Sequence, residues 1–355
     1  MGPRGFNDPE AENCFGDGLG NEAQYRSSTS RRFRFALTGF HGRSRRVMVR
    51  AREEIDRVVF ESGLVRIGAF RCHPEHPSFQ DSGPAENYCF VFPRTAVEIQ
   101  HEHEPAFVAN SNVVTFYNVG EVYWRNPISP EGDRCDWFGL EPGLVRDALR
   151  GFDSGVDDRP DRLFRFSRGW SDARSYLLQR RLFILVTTSK TVNPLAIDET
   201  VIDLLDRVIR RSCTSRFSSS QPEIGRRQRH TVHEIETLLS QRAEDRLTLS
   251  RIAREVGFSE YHVCRLFRRV TGIKLHQYQL RLRMREALTD VVESGRSLTE
   301  IALNAGFSSH SHFTDVFRHE FNATPSSVRA DCPRDTLPSN FLIAGPTGVR
   351  IRVLR

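Results

Sequence analysis

Apolar positions follow two different rhythms along this 355-residue chain. From about 46 to 140 they alternate or cluster. The stretches "NYCFVF", "TAVEIQ", "NVVTFYN" and "EVYWRN" are rich in β-branched and aromatic residues and are separated by Pro, Asn and Gly. That pattern predicts short strands forming a small β-barrel or sandwich. From 141 to 211 the rhythm becomes helical. Ile197, Val201, Leu204, Leu205, Val208 and Ile209 fall at i, i+4, i+7, i+8, i+11 and i+12, one stripe of a helix, and "SYLLQRRLFILV" predicts its partner. Such a stripe packs within its own domain or against a second copy, so 141–211 is read as a helical dimerisation segment.

Beyond a Ser- and Arg-rich stretch at 212–228, read as a linker, one short pattern is written twice. "IAREVGFSEYHVCRLFRR" is followed about fifty residues later by "IALNAGFSSHSHFTDVFRH". In the first copy Thr248 is placed to cap a short helix carrying Leu249, Ile252, Ala253 and Val256, and Gly257 to end it. Ser259 then caps a second helix with Val263, Leu266, Phe267 and Val270 on one face, and Gly272 stops it. In the second copy Ser297 and Glu300 make an S-x-x-E capping box. Gly306 ends that helix, Ser308 restarts the chain, and Phe313, Val316 and Phe317 form the buried stripe. Asn322 stands where Gly272 stood. Ile252 maps to Ile301 and Phe267 to Phe317, so one extra residue lies near the start of the last helix.

Each copy therefore reads as two helices joined by a tight turn, the helix-turn-helix geometry whose second helix enters a DNA major groove. Between the copies, Leu280, Met284, Ala287, Leu288 and Val291 stripe a single connecting helix. About 18 residues give it roughly 27 Å, enough to hold two reading helices about one DNA turn apart. With the buried stripe removed, the first reading helix presents Glu260, Tyr261, His262, Cys264 and Arg265. The second presents His310, Ser311, His312, Thr314 and Asp315. These are the candidate base contacts: Arg265 suits a guanine, and Asp315 either accepts from a cytosine amino group or is plainly solvated. Ser259, Arg268, Arg269 and Arg318 are candidate phosphate contacts.

Charge supports this placement. Residues 226–330 hold 17 Arg or Lys against 12 Asp or Glu, so most of the net +6 of the chain lies there, as a polyanionic partner requires. The longest apolar run, "LFILV", is far too short to span a membrane. Seven scattered cysteines without a C-x-x-C pair suit reduced thiols and a cytoplasmic location. Residues 1–45 read as a disordered arm, with Met48 opening the first regular segment, and 332–355 as a tail. The all-α double helix-turn-helix domain is assigned to 229–331.

"LTLSRIAREVGFSEYHVCRLFRRVTG", "YQLRLRMREAL" and "SLTEIALNAGFSSHSHFTDVFRHEFNATPSSVR" together resemble the AraC/XylS DNA-binding domain over 247–329. The resemblance implies a seven-helix, two-module transcription regulator of double-stranded DNA, usually an activator able to contact RNA polymerase. Asn322 departs from the usual Gly, and Asp315 from an often basic or polar residue. "NVVTFYNVGEVYWRNPISPEGDRCDWFGL" is similar, less specifically, to the cupin-like sensor half of such regulators. That likeness implies a barrel able to bind a small-molecule effector, followed by helices that form a homodimer.

Cupin enzymes hold a metal with His and a carboxylate. The candidates here are His73, His76, His101 and His103 with Glu102 or Glu104. "CHPEH" has the wrong spacing, "HEHE" lacks the following Glu and Gly, and Tyr123 stands where a later His is wanted. These histidines are read as loop residues, and no metal or other cofactor is expected. Tyr123, Trp124 and Trp137 are candidates to line an effector pocket. The chain carries no nucleophile triad or phosphate-cradling loop, so a regulator rather than an enzyme is expected. The alternatives are a metal-dependent cupin enzyme fused to a DNA-binding domain and a constitutive DNA-binding protein without an effector.

Overall fold

The computed structural model describes residues 55–80, 83–189, 191–214, 224–242 and 247–331. The expected arm, most of the expected linker and the tail lie outside the described residues. The β region comprises β1 (Asp56–Glu61), β2 (Val65–Cys72), β3 (Tyr88–Pro93), β4 (Val97–His101), β5 (Phe107–Ala109), β6 (Val113–Tyr117), β7 (Tyr123–Pro127), β8 (Asp133–Leu140) and β9 (Arg168–Trp170). Helices follow as α1 (Pro142–Arg150), α2 (Ala173–Thr188), α3 (Pro194–Thr214), α4 (Arg226–Gln241), α5 (Leu249–Glu255), α6 (Glu260–Thr271), α7 (Leu275–Glu293), α8 (Leu298–Asn304), α9 (His310–Phe321) and α10 (Pro325–Ala330).

The strands make two sheets, one ordered β1-β2-β8-β3-β6-β9 and one ordered β5-β4-β7, with the pairs antiparallel. The closed barrel expected from the sequence is not formed among the described residues. Closure would require the edge strands to pair with the small sheet, but β9 is only three residues long and β1 is largely half-buried or exposed. β9 itself falls inside 141–211, the stretch expected to be helical.

Side-chain alternation explains why several strands read as nearly unbroken apolar runs. On the large sheet Val65, Ile67, Phe90, Phe92, Val114, Phe116 and Phe138 face α2 and α3 in one core. Phe70, Cys72, Val91 and Cys135 on the opposite face pack with Val97, Ile99 and Phe107 of the small sheet. The α3 stripe read as a possible dimer contact is consumed here, since all six of its residues are buried in the first core.

That same core continues without a break into α7, α8, α9 and α10, through Met284, Leu288, Val291, Ile301, Phe313, Phe317 and Val328. The first helix-turn-helix has a separate core of Val232, Ile235, Leu239, Ile252, Val263, Leu266, Phe267, Tyr278 and their neighbours.

Candidate nucleic-acid interface

Local rules in the sequence set the two turns. Thr248 accepts from the backbone N–H of Arg251 to start α5, and Gly257 turns left-handed at φ 72°. Ser259 then caps α6 through the N–H of His262, and Gly272 ends it at φ 80°. In the second module Ser297 and Glu300 form a reciprocal capping box on α8. Gly306 turns at φ 74°. The cap of α9 is Ser309, accepting from His312 N at 3.2 Å, not Ser308 as the sequence suggested. The extra residue in the second copy accounts for that shift. Asn322 ends α9 at φ 55°, a conformation Asn tolerates better than other residues with a Cβ.

Glu260, Tyr261, His262, Cys264 and Arg265 are all exposed on α6, as are His310, Ser311, His312 and Asp315 on α9. Thr314 is half-buried, and its hydroxyl meets no hydrogen-bond partner among the described residues. Ser259, Arg268, Arg269 and Arg318 are exposed too. Arg268, Arg269 and Arg318 take part in no ion pair among the described residues.

Two side chains on α6 are already arranged by each other. Arg265 Nη1 donates to the Tyr261 hydroxyl at 2.7 Å, and its guanidinium carbon lies 5.4 Å from the ring centroid. In each module the Phe after the turn glycine contacts the reading-helix His. Phe258 stacks on His262 at 4.7 Å, and Phe307 meets His312 edge-on at 5.2 Å.

Besides the shared apolar core, polar contacts that no local sequence pattern marks tie the helix-turn-helix helices to the β region. Arg285, midway along α7, is fully buried. It donates to the Asn112 side chain and to the Ser171 carbonyl, each at 2.6 Å, and to the Ser111 carbonyl. Burial pulls its pKa down to about 10. Asn110 donates to the Tyr278 hydroxyl at 2.6 Å and to Ser240 at 2.8 Å, while Asn112 donates to the Tyr278 carbonyl at 3.1 Å. His233 on α4 lies 2.7 Å from Glu98 on β4. Glu236 is buried beside Arg168, and desolvation lifts its carboxyl to about 7 against the pull of that arginine. A charged residue inside a helical stripe reads as solvent-facing, so no sequence signal singled out Arg285.

The candidate effector residues do not converge. Tyr123 faces the interior between the sheets and packs against Tyr117, with ring centroids 4.7 Å apart. Trp124, its neighbour on β7, points to the other side and is 39% exposed. Trp137 lies over Gly68, where an added Cβ would come within 2.2 Å of the indole, and its Nε1 donates to Asp56 at 2.7 Å.

His101, read from the sequence as a loop histidine, is instead fully buried on β4. It stacks on Tyr117 and lies 3.1 Å from Glu121. His73 and His103 are exposed and His76 half-buried. Among the described residues no group of three His, Cys, Asp or Glu is placed to hold a metal. Arg125 is also buried in the sandwich interior, 2.8 Å from Asp133, and its guanidinium lies over the Phe70 ring. No described helix is long and apolar enough to cross a membrane.

Two tight-turned helix pairs joined by one helix, each with its reading face open, define a double helix-turn-helix DNA-binding protein. A family profile described as a helix-turn-helix domain matches residues 226–331. The chain is 38% identical over 83 residues to the probable transcription factor PqrA of Proteus vulgaris, covering 23% of this chain and 68% of that one. It is 33% identical over 120 residues to the HTH-type transcriptional regulator GlxA of Rhizobium meliloti, covering 34% of this chain and 35% of that protein. A crystal structure of an AraC-type transcriptional regulator from Chromobacterium violaceum aligns at 31% identity, over 31% of this chain and 99% of that one, with a TM-score of 0.29. The chain belongs to the AraC/XylS family of DNA-binding transcriptional regulators.

Proposed function

We propose that the chain reads a specific duplex site through both modules, α6 and α9 lying in successive major-groove segments on one face of the DNA. In this reading Glu260, Tyr261, His262, Cys264 and Arg265, with His310, Ser311, His312, Thr314 and Asp315, meet base edges. Ser259, Arg268, Arg269 and Arg318 meet phosphates and fix the register. The observation that carries it is the exposure of both reading faces on helices joined by α7. Its 19 residues span about 28 Å, close to the ~34 Å of one DNA turn.

The protein acts in the cytoplasm as an activator that contacts RNA polymerase, and its N-terminal half is a cupin-like sensor for a small-molecule effector. Tyr123 is the best placed of the candidate contacts, since it shares the sandwich interior with His101, Tyr117 and Arg125. The homodimer expected of such a regulator uses a surface other than the buried α3 stripe. Leu195 and Ile202 on the outer side of α3 are 65% and 37% exposed and supply one.

The test is fluorescence anisotropy of the full chain on DNA from upstream of its own and neighbouring genes, against random duplex, across a salt series. A site that outcompetes random duplex and loses roughly 1–3 kcal/mol with Arg265→Ala supports sequence reading. Equal binding to every duplex, with counterion release as the only signal, overturns it.

A further inference from the structure

The outer face of the small sheet is only partly covered by α4. Val108 of β5, which lies opposite Glu98 of β4, is buried where α4 packs on that strand. Between α4 and β7 a cavity of about 360 Å³ remains, open to solvent. Glu98 and Asn126, opposite one another on β4 and β7, form one wall with Ile128, and His233, Glu234, Thr237 and Leu238 of α4 form the other. The space exceeds the roughly 150 Å³ that admits a benzene ring, and so has room for one ring and a short polar group.

Its charge is one-sided. Lys and Arg outnumber Asp and Glu 51 to 45 in the chain, yet among the described residues the cavity is lined by two glutamates and one histidine and by no Lys or Arg. Arg242, just past the end of α4, pairs instead with Glu255 of α5 at 2.9 Å. His233 Nε2 lies 2.7 Å from one oxygen of Glu98, and the Asn126 amide donates to the other at 2.8 Å. An ionised carboxylate has about four acceptor sites, so Glu98 keeps capacity for more donors. Glu234 meets His230 at 3.5 Å. The Thr237 hydroxyl is buried with no hydrogen-bond partner among the described residues. Trp124 stands two residues from Asn126 on the same face of β7 and is 39% exposed. The face of an indole attracts organic cations.

We propose that this cavity binds a compact organic cation, an amidinium, guanidinium or ammonium group on an apolar body about the size of one ring. The charged head meets Glu98 and Glu234, the body lies on Ile128 and Leu238, and Trp124 flanks the open side. An anion here meets two carboxylates and no arginine, and a neutral ligand leaves their charge unanswered. The site is separate from the sandwich interior of His101, Tyr117 and Tyr123, because Glu98 and Asn126 lie on the other face of β4 and β7. A ligand in it bridges the small sheet and α4, whose apolar side belongs to the core of the first module, and so fastens that module to the β region. That regulatory consequence rests on the DNA-reading proposal; the binding site does not.

The experiment uses the full chain without DNA, so failure at an operator and failure at this site are read separately. Proton NMR titrations follow benzamidine and 2-phenylethylammonium, with benzamide and benzoate as the neutral and anionic counterparts of the first. One or both cations are expected to bind saturably, about tenfold more tightly than benzamide. The stronger of the two separates a planar fork from a single ammonium. Glu98→Gln and Glu234→Gln should each weaken that cation about threefold to fivefold, the scale of a partly exposed ion pair. Trp124→Leu should weaken it by a similar factor. Glu234→Gln leaves the Glu98–His233 contact intact, so it tests the site without loosening the docking of α4. Hydrogen exchange at 233–241 should slow when the cation binds. No saturable binding of either cation overturns the site, as does benzamide binding equally well. Affinity unchanged in both Gln variants overturns it too, and if Tyr123→Phe then abolishes binding, the cation sits in the sandwich interior. Unchanged exchange at 233–241 overturns the fastening of the first module.

Discussion

Arg285 donates to the Asn112 side-chain oxygen at 2.6 Å, pinning the middle of α7 to the loop that leads into β6. Its pKa of about 10 in the fold, against an ordinary 12.5, means the folded state disfavours the charged form. The group is nonetheless charged at neutral pH, so burial costs about 3 kcal/mol there. Three acceptors return roughly 1–3 kcal/mol each. At the low end of that range the return only offsets the cost, and Arg285 then specifies the docking more than it stabilises it.

Arg285→Met is therefore expected to change global stability in urea by only about 1 kcal/mol. It should, however, speed hydrogen exchange at 110–113 and 171, where the acceptors must find water. A loss of several kcal/mol with no local change in exchange would contradict this account.

Tyr261 and Arg265 should behave as a pair. Tyr261→Phe keeps the ring under the guanidinium but removes the hydroxyl that orients it. The expected loss on a specific site is about 0.5–1 kcal/mol, less than that of Arg265→Ala, with no change on random duplex. In the double variant the two losses should not add. Anisotropy on matched duplexes measures all four proteins.

Arg268, Arg269 and Arg318 have no ion pair among the described residues to give up before meeting phosphate. Each Ala substitution should weaken specific and random DNA alike and reduce the magnitude of the log–log salt slope by about 0.9. A substitution that altered the preferred sequence would mark its arginine as a base contact instead.

Glu236 should give the fold a pH dependence near neutrality. Its carboxyl, raised from an ordinary 4.5 to about 7, holds a proton in the fold that the unfolded chain has already lost. The stability this contributes is complete below pH 4.5 and is lost as pH rises through about 7. The full change is on the order of 3 kcal/mol, set by burial against the pull of Arg168, with Tyr278 as a further neighbour. Glu236→Gln should flatten the melting temperature between pH 5 and 8. A parent protein with no slope there would rule the mechanism out.

The helix-turn-helix modules were legible because their signals are local. Thr248, Gly257, Gly272, the Ser297–Glu300 box and Asn322 each act within a few residues of where they stand. The one misplaced cap, Ser308 for Ser309, came from two equivalent serines side by side. In the β region the strands were readable but not their partners, because β2 meets β8 over sixty residues away and nothing in either strand names the other. His101 was misjudged for the same reason. What covers a residue from another part of the chain leaves no mark on its own periodicity. Arg285, Asn110 and Asn112 lay beyond any local pattern, being polar residues buried by partners from distant parts of the chain.

The two modules share a design but not an attachment. The second is continuous with the apolar core that runs through α2, α3 and the large sheet, while the first has a core of its own and meets the β region mainly through polar groups. Cooperativity should divide along that line. Whatever melts the β region takes the second reading helix with it, and the first can loosen and reclose on its own. On DNA, the second module should then act as the fixed foot of the molecule and the first as the one free to step.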